Sequence, residues 1–569
     1  MRKVLLVVVI LAVAAAAGWW FFLRGGGGQP PALAARLEAG STVGFVAIEQ
    51  PVALIGSLAS RVEKVRQALP PEAAALADPA VLTTQAGFDP RTAEGWQSIG
   101  LDPAAGLGLV RDARVGELPI VLARVSDQGK LLAWAEKVAG VMPTITEGKP
   151  STLAIGDRQY LFGNKGEMTA FVPFDEAARA GFQAFLDGNG PSLAEVGTFQ
   201  QGFDAAKAGP RATLWVDTTR LVPPGEGDVA KTARFYSELY PGWALFAGPG
   251  ESGMRFVATE KGVEALRQTL EPPGSAPTFS AFVPAEGWFA VRASVNIKEL
   301  FTGVQALLPP TVPAEARSQM GMAKLGFAMV AGFAWDELAE GFGGHVVAAG
   351  ATPRAGVPPE WLVLASASSK ADKLLDSLAG RMESMAAGMG AEGPKLEKKT
   401  LGGVSARTLA VPPFNVVLAR VDDVMILASS PEVFEAAVKR SQGGASLKGT
   451  LAAGALDGDV VAGLVISTAG LVAQLETQGK GPAVVVLKAA ELGPHLSLRL
   501  ALDRHGLTLG GDLVPMLSLV GAGALFGMPV EGLGGPARRE RDEATRRAIE
   551  EAQEAQDDAP EEGGAPDGE

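Results

Sequence analysis

Three histidines, His345, His495 and His505, are the only side chains whose ordinary pKa suits proton transfer near neutral pH. None belongs to an H-x-x-x-H or H-E-x-x-H pattern, which would set two ring nitrogens on one helix face toward a metal. His505 lies in Asp503-Arg504-His505-Gly506, a turn, where surface placement accounts for it. The chain has no cysteine, so disulfides, iron–sulfur clusters, thiolate zinc sites and cysteine nucleophiles are excluded. There is no G-x-x-x-x-G-K-[ST], G-x-S-x-G or S-x-x-K, which leaves P-loop nucleotide binding and serine acyl transfer without a motif. Gly521-Ala522-Gly523-Ala524-Leu525-Phe526-Gly527 sets its third glycine one place too late for a dinucleotide loop. The many Asp and Glu residues could form a carboxylate pair in space, but spacing alone designates none. Trp96 and Trp335 fall at similar places in two related stretches and are read as core residues ahead of a pocket lining. The sequence therefore yields no catalytic, cofactor-binding or metal-binding residue.

The elements that would position any site are easier to read. Arg2 and Lys3 precede an uncharged apolar run at 4–23 that ends in Trp19, Trp20, Phe21 and Phe22. Twenty helical residues match a hydrocarbon core of about 30 Å, and aromatic residues favour the interface. Residues 1–24 are therefore read as a membrane anchor with its N-terminus inside. The competing reading is a signal peptide cut within Ala14–Ala17, which leaves an apolar mature end. Residues 25–40, beginning with four glycines, read as a linker.

The body repeats itself. Thr152-Leu153-Ala154-Ile155 returns as Thr408-Leu409-Ala410-Val411, 256 residues on. Around it, Leu161 is matched to Leu418 and Pro173 to Pro431, at offsets of 257 and 258. Ile120-Val121-Leu122-Ala123 before Lys130 parallels Leu362-Val363-Leu364-Ala365 before Lys373, and Leu214 parallels Leu464. The order is kept while the offset drifts, as loop insertions would cause; the Met- and Gly-rich stretch 382–394 reads as one. The period is too long for a solenoid or propeller blade. Two similar α+β repeats are expected, at 41–275 and 276–511. Alternation at 43–48 predicts a strand, 51–69 has helical spacing, and Asn164-Lys165-Gly166 and Asp422-Asp423 predict hairpin turns. Tight turns make neighbouring strands antiparallel, so each repeat should be a mainly antiparallel sheet with helices packed on one face.

The segment 512–531 is apolar and Gly-rich. Its stretch 513–530 is uncharged and holds Gly523 and Gly527 in G-x-x-x-G spacing, so it is a candidate second membrane segment. Pro515 and Pro529 argue instead for packing on the body. The tail 532–569 is charged and reads as largely disordered. Residues 538–569 carry twelve acidic and five basic side chains, a net of −7 out of −13 for the whole chain. The body is thus only mildly acidic and lacks the basic stripe that nucleic-acid binding requires. Hydrophobic residues at 47% and charged residues at 20% mark a folding composition.

This layout, one N-terminal anchor before a duplicated Ala/Gly-rich region, resembles uncharacterised bacterial envelope proteins. The resemblance implies the inner (cytoplasmic) membrane, a single pass through residues 4–23 and a body that is periplasmic or extracellular; it carries over no site residue and no cofactor. The expected function is a non-enzymatic envelope scaffold or binding protein, its partner an envelope protein or an apolar ligand. The alternatives are a carrier of a lipid or other apolar ligand, marked by a large apolar pocket, and a hydrolase with a convergent carboxylate site.

Overall fold

The computed structural model describes residues 31–512, apart from most of 57–85, 205–209 and 481–492 and the short stretches 249–250, 332, 353–357, 388–395 and 412–413. The apolar runs 4–23 and 513–530 and the tail 532–569 lie outside the described residues. Among those described, no helix is long and apolar enough to cross a membrane.

Strands built from alternating Val, Leu, Ile and Ala dominate. They are β1 (Thr42–Glu49), β2 (Leu107–Asp112), β3 (Ile120–Ala123), β4 (Thr144–Thr146), β5 (Ser151–Ile155), β6 (Arg158–Lys165), β7 (Met168–Pro173), β8 (Arg211–Asp217), β9 (Gly242–Gly248) and β10 (Glu251–Val257). Ten more follow: β11 (Trp288–Ser294), β12 (Phe342–Ala351), β13 (Trp361–Ala367), β14 (Glu397–Leu401), β15 (Val404–Val411), β16 (Phe414–Val421), β17 (Val424–Ala428), β18 (Val460–Ser467), β19 (His495–Asp503) and β20 (Gly506–Gly510). Every described ladder is antiparallel, and all twenty strands join one sheet, so the fold is α+β with a large antiparallel sheet.

From its outer edge inward the first half runs β4-β5-β6-β7-β3-β2-β1-β8-β9-β10. The second half runs β14-β15-β16-β17-β13-β12-β11-β18-β19-β20, the same order with ten added to each strand. The halves meet where β10 pairs with β20, Met254 opposite Leu509 and Phe256 opposite Leu507. Arg255, 3% exposed, crosses this seam to an ion pair with Asp503 and donates to the Gln201 carbonyl at 3.0 Å. Each half's inner edge strand, which alone would offer unpaired N–H and C=O groups, is thereby satisfied by the other. The two outer edges are blunted differently: β4 has three residues, and β14 is charged and exposed.

Helices occupy matching places. They are α1 (Ala93–Ser98), α2 (Gln128–Ala139), α3 (Glu176–Asp187), α4 (Gly197–Phe203), α5 (Asp228–Leu239), α6 (Glu260–Leu270), α7 (Leu300–Leu307), α8 (Ala314–Ala331), α9 (Trp335–Gly341), α10 (Ala371–Ala387), α11 (Pro431–Ser441) and α12 (Thr468–Thr477). Side-chain oxygens start several of them: Asp175 caps α3 and Ser430 caps α11 at the corresponding position. Residues 51–56 are helical as their spacing predicts; most of 57–69 lies outside the described residues. α10 continues to Ala387, so the first part of the expected insertion at 382–394 is a longer helix.

The ladder corrects the sequence register. Thr152 opposite Leu161 corresponds to Thr408 opposite Val417, so Leu161 matches Val417 at a constant offset of 256, not Leu418. Leu161 and Val417 lie in equivalent cores, while Leu418 points to the other face. Sequence matching slipped by one residue because Val416, Val417, Leu418 and Ala419 are all apolar, and a one-residue slip reverses the face. Pro173 closes β7, whereas Pro431 opens α11. The first hairpin turn is Gly166-Glu167, with Asn164 and Lys165 inside β6; it matches Asp422-Asp423, and Gly166 and Asp422 both have positive φ.

The expectation of helices on one face also fails. Val417, Ala419 and Ile426 pack under α11 through Val433, Phe434, Ala437 and Val438. Leu418 and Met425, on the opposite face, pack under α10 through Ala371, Leu374, Leu375 and Ala379. Strands apolar on both faces need cover on both, which makes this wing a helix–sheet–helix sandwich.

The seam yields a stability test. A Cβ on Gly506 (φ +132) would stand 2.1 Å from the Phe256 carbonyl oxygen. Gly506→Ala is expected to destabilise by about 1–3 kcal/mol. Gly380→Ala, in the middle of α10 with open space around it, is expected to stabilise by about 0.5–1 kcal/mol. Urea midpoints of the two variants check the contrast.

Candidate functional site

The histidines are dispersed, as their spacing implies. His505 forms part of the β19–β20 turn, with its Nε2 2.9 Å from Arg504 Nε and 3.5 Å from Asp204. His495 opens β19, its Nε2 against the Ala285 carbonyl. Only His345 lies among other reactive groups. Its Nδ1 stands 2.9 Å from Ser294 Oγ and 3.3 Å from an Arg292 nitrogen, all three buried.

A serine hydroxyl on an imidazole is the beginning of a nucleophile–base pair. Two features argue against that chemistry. The group that should orient the imidazole is a guanidinium instead of a carboxylate. Burial, and then the Arg292 charge, hold the His345 pKa below its ordinary value, with the Gly274 backbone offsetting them in part. Arg292 itself is 1% exposed, with its pKa pushed down to about 10 by burial, and it donates to the Leu456 carbonyl at 2.9 Å and the Gly458 carbonyl at 3.0 Å. Ser294 lies 3.3 Å from the Val460 carbonyl. The cluster thus ties the loop before β18 to β11. At the matching corner of the first half, Glu49 pairs with Arg211, which is the same mechanical task done by an ion pair.

Among the described residues no three His, Asp or Glu side chains are grouped to hold a metal. The fully buried carboxylate Asp112 is held by Arg114 at 2.9 Å and by the Ser41 hydroxyl at 2.8 Å. Lys165, whose pKa burial lowers, donates to the Phe185 carbonyl at 2.6 Å and the Gly188 carbonyl at 3.1 Å, satisfying the end of α3. Trp96 is 1% exposed, lies 5.1 Å from Phe88 and donates to the Pro90 carbonyl at 2.8 Å. Trp335 packs 5.0 Å from Phe301 and 5.2 Å from Phe327. Both tryptophans are packing residues.

The feature that sequence reading missed is a surface. On β11, Ala290, Arg292 and Ser294 face the second core, and Phe289, Val291 and Ala293 face the other way. Phe289 is 45% exposed and Val291 46%. Across the ladders they neighbour Ile466 and Leu464 on β18 and Gly350 and Ala348 on β12. The matching row of the first half is more enclosed: Gly44 and Leu214 are buried and Val46, at the place of Val291, is half-buried, where Phe289 and Val291 are exposed. Alternation marked both faces of β11 as apolar, but an apolar residue carries no signal of whether another element covers it.

Linkage gives the sign of one pH effect. An imidazole with a depressed folded pKa binds fewer protons folded than unfolded just below pH 6.5, so stability is complete above that value and falls as pH drops through it. Asp457 and Asp459 raise the pKa of the neighbouring Arg292, which stays charged throughout this range. His345→Asn is expected to flatten the stability slope between about pH 6.5 and 5. Urea titrations at both ends of that window measure it.

The chain matches no family model, no curated protein and no solved structure, so its function has to be read from its own surfaces.

Proposed function

We propose that this is a membrane-anchored, exported binding protein made of two α+β repeats, 41–275 and 276–511, without an active site. On this reading residues 4–23 hold it in a bacterial inner membrane and the body is periplasmic. The identical strand order of the two halves supports duplication, and so do the paired offsets. Trp96 and Trp335 differ by 239, the separation of the paired strand positions Leu109 and Ala348. The basic-then-apolar N-terminus with its aromatic end supports the anchor.

The observation that carries the binding role is the bare face of β18, β11 and β12. Exposed Phe289 and Val291 at the centre of a sheet have no structural use when the matching Gly44 and Val46 of the other repeat are buried and half-buried. Three strands about 4.8 Å apart, with facing residues roughly 7 Å apart along each, make a footprint about 10 Å wide. That is the width of one α-helix, so the partner is an amphipathic helix of an envelope protein, laid apolar side down. A carried lipid would need an enclosed apolar cavity, whereas the cavity lined by Asp372, Lys398 and Arg407 is open and charged.

A designed Leu/Lys amphipathic peptide is expected to bind the detergent-solubilised full chain, with affinity falling at least about tenfold in Phe289→Asp/Val291→Lys. Folding stability should change by roughly 0.5 kcal/mol or less per site, since both side chains are half-exposed. Equal binding by the variant refutes the site, and binding of a fatty-acid probe in place of the peptide supports the carrier instead. For location, a periplasm-active reporter fused after Leu270 should be active; activity confined to the cytoplasm contradicts export.

A further inference from the structure

A second surface, independent of the apolar face, lies on the outer wing of the second repeat. Lys398 on β14 stands opposite Arg407 on β15, and Arg407 stands opposite Leu418 on β16. Arg420 and Ser405 are each two residues farther along their strands, so all four polar side chains share the face that carries α10. They line an open cavity of about 460 Å³ with Asp372 and Leu375 of α10, Val404, and Asp422 of the hairpin turn.

The floor of this cavity is cationic and the rim acidic. Arg407 is 19% exposed and pairs with Asp376; Arg420 is 31% exposed, reaches Asp372 at 3.1 Å and donates from Nε to the Asp422 carbonyl at 2.8 Å. Asp372 and Asp376 are 75% and 66% exposed. Pairs to such solvated carboxylates are weak and easily exchanged. Each guanidinium has five N–H donors, and these bonds use only a part of them. Lys398 has no ion pair among the described residues. The donors on the floor therefore outnumber the acceptors that meet them.

The first repeat lacks these guanidiniums and their carboxylate partners. At the constant offset of 256, Arg407 corresponds to Ser151 and Arg420 to Asn164; the α2 positions matching Asp372 and Asp376 are Gly129 and Ala133. A charge set needed to hold the fold would be expected in both halves.

We propose that this cavity binds an anionic phosphate or carboxylate group, with Arg407, Arg420 and Lys398 as donors and Ser405 as a hydroxyl contact. The planar guanidiniums suit a two- or three-oxygen anion. The anion replaces Asp376 and Asp372 at the guanidiniums, and Leu375 and Val404 flank whatever apolar part it carries. A soluble phosphate and a lipid headgroup share this chemistry.

Isothermal titration of the detergent-solubilised full chain with inorganic phosphate tests it, alongside titration with detergent micelles that carry phosphatidylglycerol. Phosphate binding is expected in the wild type. Asp376→Asn, which removes a competing carboxylate, should tighten it by up to about fivefold. Arg407→Gln should weaken it by about tenfold or more. A matched Lys399→Gln change, on the opposite face of β14, should do nothing. Binding of micellar phosphatidylglycerol that is lost in Arg407→Gln identifies a headgroup as the source; phosphate binding without it identifies a soluble anion. Absence of binding in both the wild type and Asp376→Asn, or equal binding by Arg407→Gln in a chain with an unchanged urea midpoint, overturns the proposal.

Discussion

The ladder between β10 and β20 is the interaction on which the rest depends. Each half of this sheet ends inward on a strand that is paired on one side only, so the backbone groups on its free edge have no partner within its own half. Pairing them edge to edge satisfies both at once and makes one twenty-stranded sheet from two ten-stranded ones. The seam is short, five paired positions from Gly253 to Val257, and its side chains show how it is secured. Met254 and Phe256 meet Leu509 and Leu507 on one face. On the other, Arg255 buries a cation that Asp503 and the Gln201 carbonyl compensate. Gly506 lets the backbones approach where any Cβ would collide.

Because the two halves share a strand order, their differences are informative. The corner held by Glu49 and Arg211 in the first half is held by Arg292, Ser294 and His345 in the second. That comparison turns an apparent serine–histidine pair into a structural tie. The same comparison isolates two features that packing does not explain: an apolar row more exposed in one half than in the other, and a pair of guanidiniums on a cavity floor in one half alone. Agreement between the halves is what a shared strand order requires, so their differences are where function is sought.

The sequence was a good guide to strands and a poor one to faces. Alternation at 43–48, the Asp422-Asp423 turn and the Thr152/Thr408 match all describe local backbone, and they agree with the structure. Leu161 was matched to Leu418 instead of Val417 because four successive apolar residues carry no period of two. For the same reason the cover on both faces of β16 and β17 could not be read, although strands apolar on both sides require it. The bare face at Phe289 and Val291 was invisible, since exposure depends on elements remote in sequence. The cavity was invisible too, as Lys398, Arg407, Arg420 and Asp372 come from three strands and a helix.

Amide hydrogen exchange on the intact chain tests the central claim, that the two halves form one sheet through β10 and β20, most directly. If they do, the amides of residues 253–257 and 506–510 that face across the seam exchange as slowly as those of β1 and β11 at the centre of each half. Exchange as fast as that of the outer edge strands β4 and β14 would mean that the seam is open in solution, and the single-sheet account would fail.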